Sequence, residues 1–188
     1  MSMPILEAHI LEGYNADEKA RLITALTDAV RLVVPAPDEA IIVMLKEHPG
    51  DDYARGGVQR KPASALPDPT SIVRDYLTAM ENRDLERASA MLGDDFRMVF
   101  PATGEMVSLS ELIEWSKDRY RFVKKTYDAT ESFFQNGTTI VYVRGKLRGE
   151  WMDGTSFEGI RYIDRFELSG GKIQRQDVWN DMAEVRSK

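Results

Sequence analysis

The proline-rich stretch at residues 60–69 limits how this chain can fold more than any other feature of the sequence. It reads Arg-Lys-Pro-Ala-Ser-Ala-Leu-Pro-Asp-Pro, and three prolines in ten residues disfavour both helices and the interior of a sheet. The stretch therefore predicts a linker. We expect two domains, residues 1–60 and residues 70–188, joined by residues 61–69.

The segment before the linker shows a strand-helix-strand pattern. Residues 5–12 alternate as in a strand, and Asn15 with Glu18 forms a capping box that predicts a helix running to about Val34. Residues 40–45 are an apolar run typical of a buried strand. Two strands joined by one helix predict a parallel β-α-β unit with a right-handed crossover. A unit this small is expected to need partners to complete its core.

The segment after the linker begins with helices and ends in a run of strands. Apolar spacing predicts helices over residues 72–80 and 85–92, and a capping box at Ser108 and Glu111 predicts a third. Three turn signals separate four later strands: Asn136-Gly137, Asp153-Gly154 and Ser169-Gly170-Gly171. We therefore predict an α+β fold class, in which the β-α-β unit is followed by an α+β cone with a curved antiparallel sheet and a cavity.

Composition excludes several kinds of site. The chain has no cysteine, which rules out disulfides, thiolate metal sites and cysteine nucleophiles. Its two histidines, His9 and His48, cannot supply a three-histidine metal site. We expect His9 to be a structural residue on a strand face and His48 to lie in a loop. We expect no metal and no cofactor.

Charge and hydropathy bear on partners and location. The net charge of −6 argues against nucleic-acid binding, because phosphate contacts need clustered basic residues. The longest basic cluster, residues 119–125, is interrupted by two apolar residues, and we interpret it as a solvated helix end. There is no apolar run of about 18 residues and no basic-then-apolar start. We therefore expect a cytoplasmic protein with no membrane partner.

Asp164 is the candidate catalytic residue of the second segment. Tyr162, Asp164 and Phe166 share one largely apolar face of a predicted strand, and that face is expected to line the cavity. Burial disfavours the charged carboxylate and raises its pKa. Such a group can donate a hydrogen bond to a developing oxyanion or act as a base near neutral pH. The alternative is a structural carboxylate bonded to Tyr76 or to backbone.

Aromatic residues are expected to form the cavity walls and to suit a flat, apolar ligand. The candidates are Trp115, Trp151, Tyr162 and Trp179.

Residues 4–13, together with Ala36-Pro37 and Gly56-Gly57, resemble 4-oxalocrotonate tautomerase subunits over about residues 4–60. The resemblance implies a β-α-β subunit that assembles into dimers or hexamers, with an amino-terminal proline, Pro4, as general base. Met3 precedes Pro4 in the chain, so the Pro4 nitrogen is an amide unless processing frees it.

Other site positions of that family differ in this chain. Its two carboxylate-binding arginines correspond to Tyr14 and Ile42, an aromatic site residue corresponds to Tyr53, and Arg55 lies close enough in sequence to supply a cation. The resemblance thus implies a substrate site that includes Tyr14, Tyr53 and Arg55. The alternative is a degenerate tautomerase domain kept for oligomerisation.

Residues 68–183 resemble the nuclear transport factor 2-like class, which includes ketosteroid isomerases and SnoaL-like cyclases. The resemblance lies in residues 73–77, 93–96, 162–166 and 171–173. It places Tyr76 and Asp164 at catalytic positions. Phe100 occupies the position of the base in the isomerases, so we expect Phe100 to contact substrate and Asp177 or Asp181 to be a replacement base.

Taken together, these features predict a cofactor-independent isomerase, tautomerase or cyclase that transfers a proton next to a carbonyl. Its partner is expected to be a small apolar or carbonyl-containing molecule, and the chain is expected to form a homo-oligomer, a dimer or a hexamer. The alternative is an apolar-ligand-binding or assembly protein in which the tautomerase-like domain only oligomerises.

Overall fold

The computed structural model describes residues 3–186. The chain divides into two compact units whose boundary falls between Ala65 and Leu66, inside the proline-rich stretch. No helix among the described residues is both long and apolar enough to cross a membrane.

The first unit is a parallel β-α-β unit, as predicted. Its elements are β1 (Ile5–Leu11), α1 (Ala16–Arg31), β2 (Ile42–His48) and a small hairpin of β3 (Ala54–Arg55) and β4 (Val58–Gln59). Strand β1 pairs with β2 in parallel, with Ile5 opposite Ile42. Helix α1 ends at Arg31, three residues before the predicted end, because residues 32–34 form a turn before Pro35.

Local chemistry explains where α1 begins. The Asn15 side chain accepts a hydrogen bond from the Glu18 backbone N–H, and the Glu18 carboxylate accepts one from the Asn15 N–H. Packing within the unit is thin: no residue of α1 is fully buried, and among described residues the unit's one fully buried apolar side chain is Ala36.

The second unit is an α+β fold built on a six-stranded sheet. Its elements are α2 (Pro69–Glu81), α3 (Leu85–Ser89), β5 (Leu92–Val99), β6 (Glu105–Met106), α4 (Leu109–Ser116), β7 (Tyr120–Gln135), β8 (Thr138–Trp151), β9 (Ser156–Ser169), β10 (Lys172–Asn180) and α5 (Met182–Arg186). The strand order is β6-β5-β10-β9-β8-β7. Strands β7 to β10 form an antiparallel meander whose turns lie at the three predicted positions, and β5 pairs with β10 in parallel.

Close approach between β7 and β8 requires glycine. A Cβ at Gly145 would lie 1.9 Å from the Thr126 carbonyl oxygen, and one at Gly149 would lie 2.2 Å from the Phe122 carbonyl oxygen. The pairing of β7 with β8 shifts register between Tyr127 and Ala129, as at a β-bulge. The two glycines of β8 and the register shift near Tyr127 together allow β7 and β8 to bend.

Two local predictions were wrong. The second helix does not reach residue 92; it ends at Ser89, and Leu92 already belongs to β5. Residues 119–125 are not a solvated helix end, because α4 ends at Ser116 and β7 begins at Tyr120. In this strand Val123, Lys125 and Tyr127 alternate with exposed residues, so Lys125 points toward the core side.

Candidate active site

Asp164 lies on β9 and is completely buried. Its neighbours on the same strand face, Tyr162 and Phe166, are buried as well, as the alternation predicted. The Lys125 ammonium on β7 contacts Oδ2 of Asp164 in a salt bridge, and the Gln176 amide on β10 donates to the same oxygen over 3.5 Å. Oδ1 has no hydrogen-bond partner among the described residues.

The surroundings of Asp164 shift the pKa of its carboxyl group. Burial raises the pKa of Asp164 above the ordinary value of an aspartate, and the Lys125 charge and the Gln176 hydrogen bond oppose this only in part. Oδ1 accepts no hydrogen bond among the described residues, so the ionised form of Asp164 is stabilised by donors at Oδ2 alone.

Tyr76 reaches Asp164 through Gln176 rather than directly. Its hydroxyl donates to Gln176 Oε1 over 3.1 Å, and the amide of Gln176 donates onward to Asp164. Burial, and secondarily the charge of Asp164, raises the pKa of Tyr76. Tyr76 is therefore a neutral hydrogen-bond donor, and the Tyr76–Gln176–Asp164–Lys125 chain is one connected polar network in an apolar core.

A cavity of about 290 Å³ lies against this network. Its apolar walls are Leu77, Met80, Phe100, Leu112, Phe122 and Val123, and its polar lining is Tyr76, Glu81, Arg83, Ser116, Tyr120, Arg121, Lys125 and Gln176. Asp164 is not part of the lining; it lies behind Lys125 and Gln176. A substrate in this cavity therefore meets an amine, an amide and a phenol, with a carboxyl group directly behind them.

Comparison with known proteins identifies both halves of the chain. Residues 73–176, more than half of the chain, match the family model of the SnoaL-like domain, and residues 4–61 match that of tautomerase enzymes. A protein named probable tautomerase from Listeria innocua is 40% identical over 58 residues, covering 31% of this chain and 95% of the relative. The chain belongs to the tautomerase and SnoaL-like families.

Further relatives agree with this assignment. A 2-hydroxymuconate tautomerase of Pseudomonas putida is 36% identical over 64 residues, covering 34% of this chain and 97% of the relative. An NTF2-like protein from Burkholderia pseudomallei, of unknown function, superposes with a TM-score of 0.54 at 19% identity over 64% of this chain and 97% of its own. A candidate polyketide cyclase from Xanthomonas campestris superposes with a TM-score of 0.52 at 16% identity. The superposition covers 63% of this chain and 94% of the cyclase chain. The structural likeness confirms the fold, and the family assignments support the expected isomerase or cyclase class of enzyme.

Within the SnoaL-like domain, two of the predicted aromatic residues lie at the network or the cavity. Phe100 lines the cavity, and the ring of Tyr162 packs under the Lys125 ammonium at 4.3 Å from the ring centroid. Trp115 contacts Phe100, with ring centroids 5.3 Å apart, but is not itself part of the lining.

The other candidates of the SnoaL-like domain lie away from the cavity lining. Trp151 packs against Phe157, and Trp179 is 51% exposed. Asp177 forms ion pairs with Arg165 and Arg175, and Asp181 pairs with Arg161. Neither aspartate is available as a replacement base in this cavity.

In the tautomerase domain, Pro4 lies immediately before β1, and its carbonyl accepts a hydrogen bond from Ile42 N–H over 3.0 Å. Ile42, at the position where the family has an arginine, is therefore bound to Pro4 through its backbone. Tyr14 follows β1, Tyr53 is 43% exposed, and Arg55 lies in β3. Within the described part of the chain, no hydrogen bond joins Tyr53 or Arg55 to Pro4.

The two histidines of the tautomerase domain meet, which the sequence analysis did not predict. His48 is the last residue of β2 rather than a loop residue, and its Nε2 lies 2.7 Å from Nδ1 of His9 on β1. The rings stack with centroids 5.0 Å apart. Among residues 3–186, no cluster of three or more side chains suited to a metal ion occurs.

Lys125 and Gln176 are the site residues that sequence reasoning missed. The signal for Lys125 was its position two residues from Val123 and two residues from Tyr127, because a strand places all three side chains on one face. For Gln176 the signal was a polar residue at a buried position of the last strand, where it is 3% exposed. The signal for Lys125 becomes visible only once residues 120–125 are assigned to a strand.

Proposed function

We propose that the SnoaL-like domain is a cofactor-independent isomerase or cyclase that transfers a proton next to a carbonyl group. The observation that supports this most is the completely buried Asp164, paired through one oxygen with Lys125 on the wall of an apolar cavity. Strands β7 and β9 hold Lys125 and Asp164 together beside the cavity. Carboxyl groups whose pKa is strongly shifted by burial and by a charged partner concentrate at functional sites.

In the proposed mechanism Lys125 and Asp164 act as one proton-transfer unit. The proposed step starts from the form of the pair in which the shared proton lies on Asp164, a form that burial of this carboxyl group favours, and in which the Lys125 nitrogen is an amine beside the cavity. That amine accepts a proton from a carbon next to the substrate carbonyl and becomes an ammonium group again. Return of that proton to a second carbon completes an isomerisation. In a cyclisation the enolate carbon instead attacks a second carbonyl carbon of the substrate, the π bond of that carbonyl breaks, and Lys125 returns the proton to the oxygen so formed.

The enolate oxygen formed in this step needs hydrogen-bond donors. Tyr76 and Gln176 line the cavity, and the raised pKa of Tyr76 keeps its hydroxyl protonated. The Gln176 amide has a second N–H besides the one it donates to Asp164, whereas the Tyr76 hydroxyl has to exchange its bond to Gln176 Oε1 for one to the enolate oxygen. Donors fixed in an apolar, water-poor site stabilise developing negative charge more strongly than water does. Phe100 supplies apolar contact at the position where related isomerases have a carboxylate base, so Lys125 takes over that role in this proposal.

The test is deuterium exchange. Small apolar ketones, diketones and enones are incubated in D₂O with the full chain, and deuterium uptake next to the carbonyl is followed by NMR. Lys125→Met and Asp164→Asn are each expected to lower the exchange rate by about 100-fold or more. Lys124→Met, one residue away on the exposed side of β7, is the matched control and is expected to match the wild type. Exchange that survives Lys125→Met refutes the proposed base.

We propose a separate role for the tautomerase domain, the assembly of several copies of the chain. On the sheet face opposite α1, Ile5 is 58% exposed, Met44 is 46% exposed and Ile42 is 38% exposed. In a single unit these apolar side chains are exposed to water. Assembly into a homo-oligomer, either a dimer or a hexamer, buries them. Met44→Glu is expected to lower the mass measured by sedimentation, whereas Glu7→Gln on the same face is expected to leave it unchanged.

A tautomerase reaction at Pro4 depends on the chemical state of its nitrogen. With Met3 attached, that nitrogen is an amide and cannot accept a proton; a chain processed to begin at Pro4 has a secondary amine. Intact-mass measurement on protein expressed from the native gene decides between these states. A mass that begins at Pro4 supports a second active site for pyruvate-like enols, and any longer mass overturns it.

A further inference from the structure

The cavity lining includes one cation, Arg83, that has no carboxylate partner among the described residues. Arg83, Arg121 and Lys125 belong to the lining, whereas Glu81 is its one carboxylate in the described chain. Arg121 is paired with Glu150, and Lys125 is paired with Asp164. Within residues 3–186, no carboxylate oxygen lies within ion-pair distance, 4.0 Å, of the Arg83 guanidinium. Arg83 is thus a cation at the cavity mouth without a partner of its own.

The backbone of Arg83 adopts a conformation that suits glycine. It follows Asn82, the C-cap of α2, with a φ of 58°. Helices commonly end with a residue in this left-handed region, and glycine is preferred there because a Cβ atom makes the conformation costly. Arg83 adopts this conformation at a cost in backbone energy, and residues held in such conformations cluster at active sites and ligand clamps.

The charge of Arg83 acts on the inside of the cavity. Burial raises the pKa of the Tyr120 phenol on the cavity wall, and the Ser116 hydrogen bond and the Arg83 charge lower it in part. An arginine that lines a cavity without a carboxylate partner of its own attracts an anion to that cavity.

We propose that Arg83 is a specificity-determining residue that binds a carboxylate at the cavity mouth. The ligand class is then a small, flat, apolar carbonyl compound that ends in a carboxylate. A volume of about 290 Å³ is at the small end of the range of ligand pockets, which limits the apolar part to one or two rings. The inference rests on the proposed function, because it takes this cavity to be the substrate site.

The test compares two probes that differ only in charge. Binding of 2-naphthoate and of 2-naphthalenemethanol to the full chain is measured by NMR titration at low and at high salt. The wild type is expected to bind the carboxylate at least ~10-fold more tightly than the alcohol, and added salt is expected to reduce this ratio because Arg83 is exposed. Arg83→Gln is expected to bring the ratio to about one, and Arg83→Lys is expected to keep part of it.

Arg148→Gln is the matched control, since it removes the same charge from an exposed position on β8 outside the cavity. A ratio that Arg83→Gln leaves unchanged overturns the role of Arg83 and leaves the proposed chemistry of Lys125 untouched. If the wild type binds neither probe, the cavity is not the substrate site, and both the proposed function and the role of Arg83 are refuted.

Arg83→Gly separates binding from stability. It relieves the left-handed backbone and removes the charge, so the urea midpoint of unfolding is expected to rise while the preference for the carboxylate disappears. A variant that gains stability and keeps the preference overturns the proposal.

Discussion

Replacing Lys125 by Met is the substitution whose effect the structure defines most sharply. The change keeps a long side chain on β7 and removes the cation that contacts Asp164. It leaves a completely buried carboxyl group whose remaining donor is the Gln176 amide at 3.5 Å. The cost of the substitution is therefore set by whether that carboxyl group is ionised.

The expected magnitude depends on pH. Breaking a buried ion pair by removing one partner costs about 3–5 kcal/mol when the other charge stays ionised. Asp164 can avoid this cost by taking up a proton, because burial already raises its pKa and Lys125→Met removes the charge that opposes the rise. A carboxyl group whose pKa is higher in the folded state favours folding at low pH, and this stability is lost as pH rises above the unfolded value of about 4. We expect a cost of about 1 kcal/mol at pH 5 and about 3 kcal/mol at pH 8.

Urea unfolding followed by tryptophan fluorescence measures this cost, because Trp115, Trp151 and Trp179 all belong to the second unit. The matched control is Lys124→Met, which is expected to change stability by less than about 0.5 kcal/mol at either pH.

The double variant Lys125→Met/Asp164→Leu removes both charges and is expected to return to within about 1 kcal/mol of the wild type at both pH values. A cost of Lys125→Met that is the same at pH 5 and pH 8 refutes the reasoning, since it shows that Asp164 does not change protonation in this range.

Three further substitutions test other parts of the structure by the same unfolding measurements or by circular dichroism. Tyr76→Phe removes the donor to Gln176 in a buried network and is expected to cost about 1–2 kcal/mol; no change means that the bond is not made in solution. Gly145→Ala places a Cβ 1.9 Å from a backbone oxygen of β7 and is expected to cost about 3 kcal/mol, whereas Gly104→Ala, with open space around it, is expected to be neutral. Asn15→Ala removes the cap of α1 and is expected to lower the stability of the first unit by about 1 kcal/mol, with helix loss by circular dichroism as the check.

The parts of the fold that depend on local chemistry were predictable from the sequence. The capping box at Asn15 and the turns at residues 136–137 and 153–154 depend on a few adjacent side chains, and the structure has them at the predicted positions. The alternation that places Asp164 on a buried face also follows from neighbours two residues apart. These signals need no knowledge of the rest of the chain.

The partners of Asp164 were not predictable in the same way. Lys125 and Asp164 are 39 residues apart and meet across β8, which lies between β7 and β9 in the sheet. Nothing local to either residue specifies that meeting; it follows from strand order, register and the bulge near Tyr127. The charge of residues 119–125 suggests a solvated helix end, whereas the alternation of half-buried and exposed residues from Phe122 to Asp128 is that of a strand.

The position of Asp164 behind Lys125 changes which group is expected to do the chemistry. A carboxyl group that lined the cavity would be its natural base, but this one is completely buried, and the amine of Lys125 lies between it and the substrate. The tautomerase family uses an amine as its base, and in this chain the corresponding nitrogen, that of Pro4, is an amide as long as Met3 is attached. In the SnoaL-like domain the proposed base is the Lys125 amine, which contacts the carboxyl group of Asp164. The proposed chemistry of the second domain therefore needs no processing of the chain, whereas chemistry at Pro4 does.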